Sequence, residues 1–165
     1  MFDTPLESVN SLKTLVGDSV VAVKRQIFEG DLDQPDFLEA GDGITELTFA
    51  SGSTVTFARL TEQMSVGVAF EKMPEQGSSY RLFDCKKSQF WVERLNKPIL
   101  DVQIAKSGNA DPDHPMEFAV ILVLSNQLKI AIYSAEETDD SFDSLVIRSD
   151  IDLLESDFVV SGRNR

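Results

Sequence analysis

Apolar residues recur every three or four positions at the start of the chain, which predicts a short helix. The stripe consists of Leu6, Val9, Leu12 and Val16. Thr4 and Glu7 have the spacing of a capping box, and Pro5 stands at the first helical position. Gly17 is the residue type that most often ends a helix in the left-handed conformation, so we expect the helix to end there.

After this helix the apolar residues alternate with polar ones, which predicts strands. These strands are predicted over residues 20–28, 44–49, 55–60 and 65–71. The residues expected to face inward are Val21, Val23, Ile27, Leu47, Phe49, Val55, Phe57, Val66, Val68 and Phe70. The turn at residues 50–53 joins the second and third strands into a hairpin.

The second half of the chain repeats this pattern 79 positions further on, where residues 94–102 align with residues 15–23. Gly17 then aligns with Asn96, and both residue types tolerate a positive φ, so both are expected to cap a short helix. Leu12 aligns with Trp91, which places Trp91 in the core rather than on an exposed binding surface. Further strands are predicted over residues 118–124, 128–133 and 145–147, and at the tail.

The predicted fold class is α+β and mostly β, with antiparallel strands and short helices. We expect a single domain over residues 1–165, with an internal repeat of residues 4–72 and 88–150 as two tandem αββββ units. Each unit would cover the open sheet face of the other, giving one pseudo-symmetric domain. The alternative is an ordinary α+β domain in which helix, turn and strand recur in this order by chance.

The composition supports one compact core. The chain has 165 residues, 42% of them hydrophobic and 11 of them Phe. Its single cysteine cannot form an internal disulfide, and the chain begins without a cationic and apolar leader. No apolar run approaches the roughly 18 residues that span a bilayer. These features predict a cytoplasmic protein.

The net charge of −13 is concentrated in two segments. Residues 29–42 carry a net charge of −6 and residues 136–157 one of −8, so the rest of the chain is close to neutral at +1. Such surfaces repel nucleic acid and anionic membranes and accelerate encounter with a basic protein. The alternative is that they are solvated loops that keep the protein soluble.

A search for reactive groups finds no convincing catalytic, cofactor or metal site. His114 is the only histidine, and Asp111, Asp113 and His114 would bind a divalent cation or simply form a proline-rich turn. Cys85 precedes two lysines, which favour a thiolate, but it also ends a strand, where cysteine is usually a small buried apolar residue.

Two other patterns are incomplete. The spacing Asp31-x-Asp33-x-x-Asp36 resembles part of a calcium loop but lacks the central glycine and the final glutamate. No glycine-rich phosphate-binding signature occurs. We therefore predict that the protein is not an enzyme.

Two segments resemble small bacterial immunity proteins of polymorphic toxin systems. The first is Leu15-Val16-Gly17-Asp18-Ser19-Val20-Val21-Ala22-Val23, followed by an acidic loop and residues 46–57, ELTFASGSTVTF. The second is residues 90–99, FWVERLNKPI, which is similar to a tryptophan-leucine-glycine-lysine segment of such domains. The chain departs from that pattern at Asn96, where a glycine is expected.

The resemblance implies a protein that binds a cognate toxin domain and blocks its active site or substrate surface. The acidity suits a basic toxin that acts in the cytoplasm. The predicted partner-binding residues are Asp31, Asp33, Asp36, Phe37, Glu39, Glu136, Glu137, Asp139, Asp140 and Phe142. The two phenylalanines either anchor the partner or hold their loops on the core. The alternative function is a small-ligand or divalent-metal-binding module.

Overall fold

The computed structural model describes residues 2–40, 43–60, 65–75, 77–106, 117–135, 144–150 and 158–161. Its helices are short: α1 (Val9–Lys13), α2 (Phe37–Ala40), α3 (Gln89–Val92) and a 3-10 turn at Glu29–Asp31. None of the helices in this part of the chain has the length or apolar character needed to cross a bilayer.

In the described ranges, ten strands form two antiparallel five-stranded sheets. The strands are β1 (Val20–Phe28), β2 (Thr45–Phe49), β3 (Thr54–Leu60), β4 (Ser65–Ala69), β5 (Tyr80–Asp84), β6 (Ile99–Lys106), β7 (Glu117–Leu124), β8 (Lys129–Ala135), β9 (Ser144–Arg148) and β10 (Phe158–Ser161). The first sheet has the order β4-β3-β2-β1-β5 and the second the order β10-β6-β7-β8-β9. The mostly-β α+β class predicted from the alternation is confirmed.

The two sheets have the same strand order. In each, four consecutive strands form a meander, and a fifth strand then adds beside the first of the four. The units predicted with four strands therefore have five. Their first strands carry an irregularity at the same place, at Val20/Ala22 in β1 and at Ile99/Asp101 in β6.

Hydrogen bonds between the halves are reciprocal. The Gly17 N–H donates to Ile99 O, and the Asn96 N–H donates to Val20 O, both at 2.8 Å. These four residues correspond in pairs at the offset of 79 positions, so the contact has the form of an isologous two-fold interface. Gly17 has a φ of 90° and Asn96 a φ of 63°, which confirms the positive φ predicted at both positions. The predicted end of the first helix at Gly17 was wrong, because α1 ends at Lys13 with Thr14 as its C-cap.

The core lies between the two sheets. It unites inward-facing side chains of both, including Leu47, Phe49, Val55, Phe57, Val120, Leu122, Ile130 and Ile132. Trp91 is 1% exposed and belongs to the same cluster, as predicted. The Arg59 Nε donates to Ser134 Oγ at 2.7 Å and joins β3 to β8 across the sandwich.

Three inward assignments were wrong. Val16 is 40% exposed because α1 ends at Lys13, and Leu15 takes the buried position. Val21 is 37% exposed because the irregularity in β1 turns Val20 and Val23 inward instead. Phe70 is also exposed, since β4 ends one residue before it.

The connection from β4 to β5 crosses the outer face of the first sheet, because these strands lie at opposite edges. Thr56 Oγ1 of β3 donates to Glu71 O at 2.7 Å, and Glu46 Oε2 of β2 accepts from Met73 N–H at 2.9 Å. Gln26 Nε2 of β1 donates to Pro74 O at 2.8 Å. Polar side chains of β1, β2 and β3 thus hold the segment between β4 and β5 against the sheet.

Candidate protein-docking site

The first acidic segment begins where β1 ends. Glu29–Asp31 form the 3-10 turn, and α2 follows after Pro35. Asp33 and Asp36 are exposed, and Asp31 is half-buried. Two acids of the segment form ion pairs, Glu29 with Arg81 at 3.9 Å and Asp36 with Arg148 at 3.1 Å.

Arg25 is the buried residue that organises this region. It lies on the inward face of β1 and is 0% exposed. Its Nε donates to Thr45 Oγ1 at 2.7 Å, and its Nη2 donates to Gly43 O at 3.1 Å. A buried guanidinium is strongly unfavourable unless hydrogen bonds replace its hydration, so this position demands a set of converging acceptors.

Two further acceptors of Arg25 come from a helix and from the second sheet. Nη1 donates to Leu38 O of α2 at 2.7 Å, and Nη2 donates to Leu145 O of β9 at 2.8 Å. The planar guanidinium presents its donors in fixed directions, so both carbonyls are held at defined positions beside it. Arg25 thereby joins the helix of the first acidic segment to the second sheet.

Glycine is required at position 43 by close approach. A Cβ at this position would lie 1.5 Å from Gln26 O of β1, which no side chain can tolerate. The backbone of residue 43 therefore lies directly against β1, with its carbonyl available to Arg25.

The contact at Leu145 also locates the two ends of residues 136–143, the first part of the second acidic segment. Ala135 of β8 pairs with Ser144 of β9, so residues 136–143 connect these two strands. Ser144 precedes Leu145, whose carbonyl shares the Arg25 guanidinium with Leu38. The attachment points of residues 136–143 consequently lie next to α2.

Part of the predicted partner-binding site lies within the described residues. Asp31, Asp33, Asp36 and Phe37 belong to one surface segment. Glu39 lies in α2, and its side chain falls outside the described residues. Glu136, Glu137, Asp139, Asp140 and Phe142 also lie outside them.

Phe37 contacts the body of the protein. It is half-buried, and its ring centroid lies 5.2 Å from that of Phe83 on β5. This contact fits the alternative in which Phe37 holds its loop on the core.

Sequence reasoning missed an exposed apolar cluster beside the acidic segment. Phe28 and Tyr80 face each other across β1 and β5, with ring centroids 5.7 Å apart. Leu82 on the same outer face is 61% exposed. The alternation in β1 indicates that Phe28 faces outward, but its pairing with β5 is a long-range contact with no local signal.

The cysteine is buried, and the acidic residues in the described ranges form no cluster that would hold a metal. Cys85 is 0% exposed at the end of β5, as a small apolar residue would be. Within the described ranges, no group of three or more histidine, cysteine or acidic residues converges on a point that would hold a metal, and this includes Asp31, Asp33 and Asp36. Asp111, Asp113 and His114 lie outside those ranges.

Comparisons of the chain with protein-family models, with curated proteins and with solved structures found no match.

Proposed function

We propose that this protein is an immunity protein that binds and neutralises a cognate, basic toxin domain acting in the cytoplasm. It does so by covering the toxin's active site or substrate surface. The observation that supports this most is the double contact of Arg25 with Leu38 O and Leu145 O. This contact supports the proposal because the first acidic segment lies beside the ends of residues 136–143, an arrangement that would let both act on one partner.

Long-range attraction is the first physical step of the proposed mechanism. With a net charge of −13, the protein attracts a cationic partner, and the acidic segments orient the encounter. Carboxylates then occupy the surface on which a nuclease would bind phosphates. Short-range affinity comes from a few apolar contacts, which in protein interfaces contribute most of the binding free energy.

The direct test is binding and protection. Where a gene for a toxin lies immediately upstream, its C-terminal domain should co-purify with this protein, and co-expression should restore growth of cells that make the toxin. Absence of both binding and protection would overturn the proposal. Binding without protection would also contradict it, because a neutralising protein must do both.

The site has its own test with a matched control. Asp31→Asn combined with Asp33→Asn should slow association with the toxin domain roughly tenfold at low salt, since charge at the contact controls the association rate. Glu75→Gln combined with Glu93→Gln removes the same charge from exposed positions elsewhere. Equal effects of both pairs in stopped-flow kinetics would show that net charge alone matters and that residues 31 and 33 are not at the contact.

A further inference from the structure

One edge of the first sheet is open within the described residues. β5 pairs with β1 on one side, and no described strand pairs with its other side, where the Tyr80 N–H donates to Gly77 O at 3.1 Å. The Cys85 N–H donates to Val23 O and the Glu29 N–H donates to Ser79 O, so the odd-numbered residues of β5 face β1. By strand alternation, the backbone N–H and C=O of Leu82 and Asp84 point away from the sheet.

The opposite edge of the same sheet is closed. Asp3 and Val68 of β4 exchange two backbone hydrogen bonds, at 2.9 and 2.8 Å. Open edges in native proteins are usually short, charged or covered. β5 is short and carries Arg81 and Asp84, but it also exposes Leu82, which at 61% is the most exposed of the large apolar residues in the described part of the chain. Phe28 and Tyr80 extend this apolar surface.

The two ends of β5 differ in the sign of the charge around them. At the Tyr80 end, the Glu29 N–H donates to Ser79 O, so the turn Glu29–Asp31 brings two carboxylates against Arg81. Beyond Phe83, it carries the basic residues Lys24, Lys86 and Lys87 against Asp84. A second copy of β5 in the antiparallel direction places its basic end at the acidic end of the first. The edge is thus electrostatically complementary to itself.

We propose that two copies of this chain associate through β5, antiparallel and centred on Leu82. The two Leu82 residues then exchange a pair of backbone hydrogen bonds, and each Asp84 lies opposite Tyr80 of the other copy. The contact is isologous, so it closes at two copies and joins their first sheets into one of ten strands. This inference is independent of the proposed function.

Sedimentation velocity of the full chain over a concentration series provides the test. An edge contact is small, so we expect dissociation in the micromolar range, roughly 10–100 µM. Leu82→Pro removes the N–H that points away from β1 and leaves the ladder to β1 intact. It should weaken the dimer roughly tenfold or more. A chain that stays monomeric to about 0.5 mM would overturn the proposal.

A second variant covers the case in which proline disturbs folding. Leu82→Lys keeps the backbone donor but places two like charges on the two-fold axis, so it should also give monomers. Leu100→Lys is the matched control, because Leu100 is 42% exposed on β6 and lies outside the proposed contact. A dimer that survives Leu82→Lys, or that is lost equally in Leu100→Lys, would contradict the assignment to β5.

The charge arrangement is tested separately. Lys86→Glu combined with Lys87→Glu should weaken association several-fold more than Lys13→Glu combined with Lys97→Glu, which changes the net charge equally. Equal weakening by the two pairs would show that general repulsion, rather than the polarity of this edge, governs association.

Discussion

Arg25 sits between the sheets of a strongly acidic protein with its guanidinium fully buried. Three backbone carbonyls and a threonine hydroxyl accept its hydrogen bonds. The corresponding position of the second half is Ile104, which is buried in the core. At this position the first half therefore buries a guanidinium where the second half buries an apolar side chain.

Replacing Arg25 with methionine should lower the free energy of unfolding by roughly 3 kcal/mol or more, because buried acceptors lose their donors. Urea unfolding followed by circular dichroism measures this. Arg81→Met, at an exposed position of the same sheet, is the control and should change stability by less than about 0.5 kcal/mol. Similar losses in both variants would show that the contacts of Arg25 contribute little.

Asp18 is a second residue with a defined role. Partial burial acts to raise its pKa, but hydrogen bonds from the Ser51 hydroxyl and from the Ser19 and Ser51 N–H groups outweigh burial and lower it. The carboxylate thus ties the turn between β2 and β3 to the start of β1. In the second half, Asn126 Nδ2 ties the equivalent turn to Glu93 O at 3.0 Å.

A lowered folded-state pKa means that Asp18 stabilises the fold above its unfolded pKa of about 3.9 and loses that effect as the pH falls through the folded value. Asp18→Asn should therefore cost about 1 kcal/mol near neutral pH and flatten the decline of stability as the pH falls below about 4. Urea titrations at several pH values measure both effects. An unchanged slope in the acid range would contradict this role.

At the scale of elements, each half begins with the same construction. A short helix buries one large side chain, a residue of positive φ lies a few positions after its end, and a strand with an irregularity follows. The buried residue is Leu12 in α1 and Trp91 in α3. Because Gly17 and Asn96 each donate to the opposite half, their conformation sets how the halves meet.

We expect substitutions at Gly17 and Asn96 to change stability by unequal amounts. Gly17→Ala places a Cβ in the left-handed region and should cost about 1 kcal/mol, although nothing lies within 4 Å of that Cβ. Asn96→Gly relieves the strain at the equivalent position and should change stability by less than about 0.5 kcal/mol. Thermal unfolding compares the two variants. Tolerance of alanine at position 17 would contradict the requirement for a positive φ.

At the scale of the whole molecule, each sheet has an apolar inner face that packs against the other sheet. Leu47, Phe49, Val55 and Phe57 of the first sheet would face water if the second sheet were removed. Such an apolar face leads to unfolding or aggregation when it is exposed.

We therefore expect that residues 1–87 and 88–165, made separately, do not form folded monomers, and that mixing them restores the fold. Near-ultraviolet circular dichroism and amide nuclear magnetic resonance spectra report the result, with the intact chain as reference. A stable, folded monomer of residues 1–87 would contradict mutual coverage of the two sheets.

Much of the fold follows from local pattern. Two-residue alternation predicts β2 and β3 because one of their faces is buried and the other is not. The alignment of Gly17 with Asn96 predicts the positive φ at both positions, because few residue types adopt it. Alternation fails at Val21, since an irregularity shifts the inward set by one position.

The acidic segments, the short helices and the periodicity are properties of the sequence itself, because charge and hydrophobic spacing need no folded context. Tertiary structure alone decided that β5 adds beside β1, that Phe28 meets Tyr80, and that Arg25 joins Leu38 to Leu145. These contacts join residues far apart in the chain. Their free energy comes from burial and hydrogen bonding in the assembled sandwich, which leaves no periodic trace in the sequence.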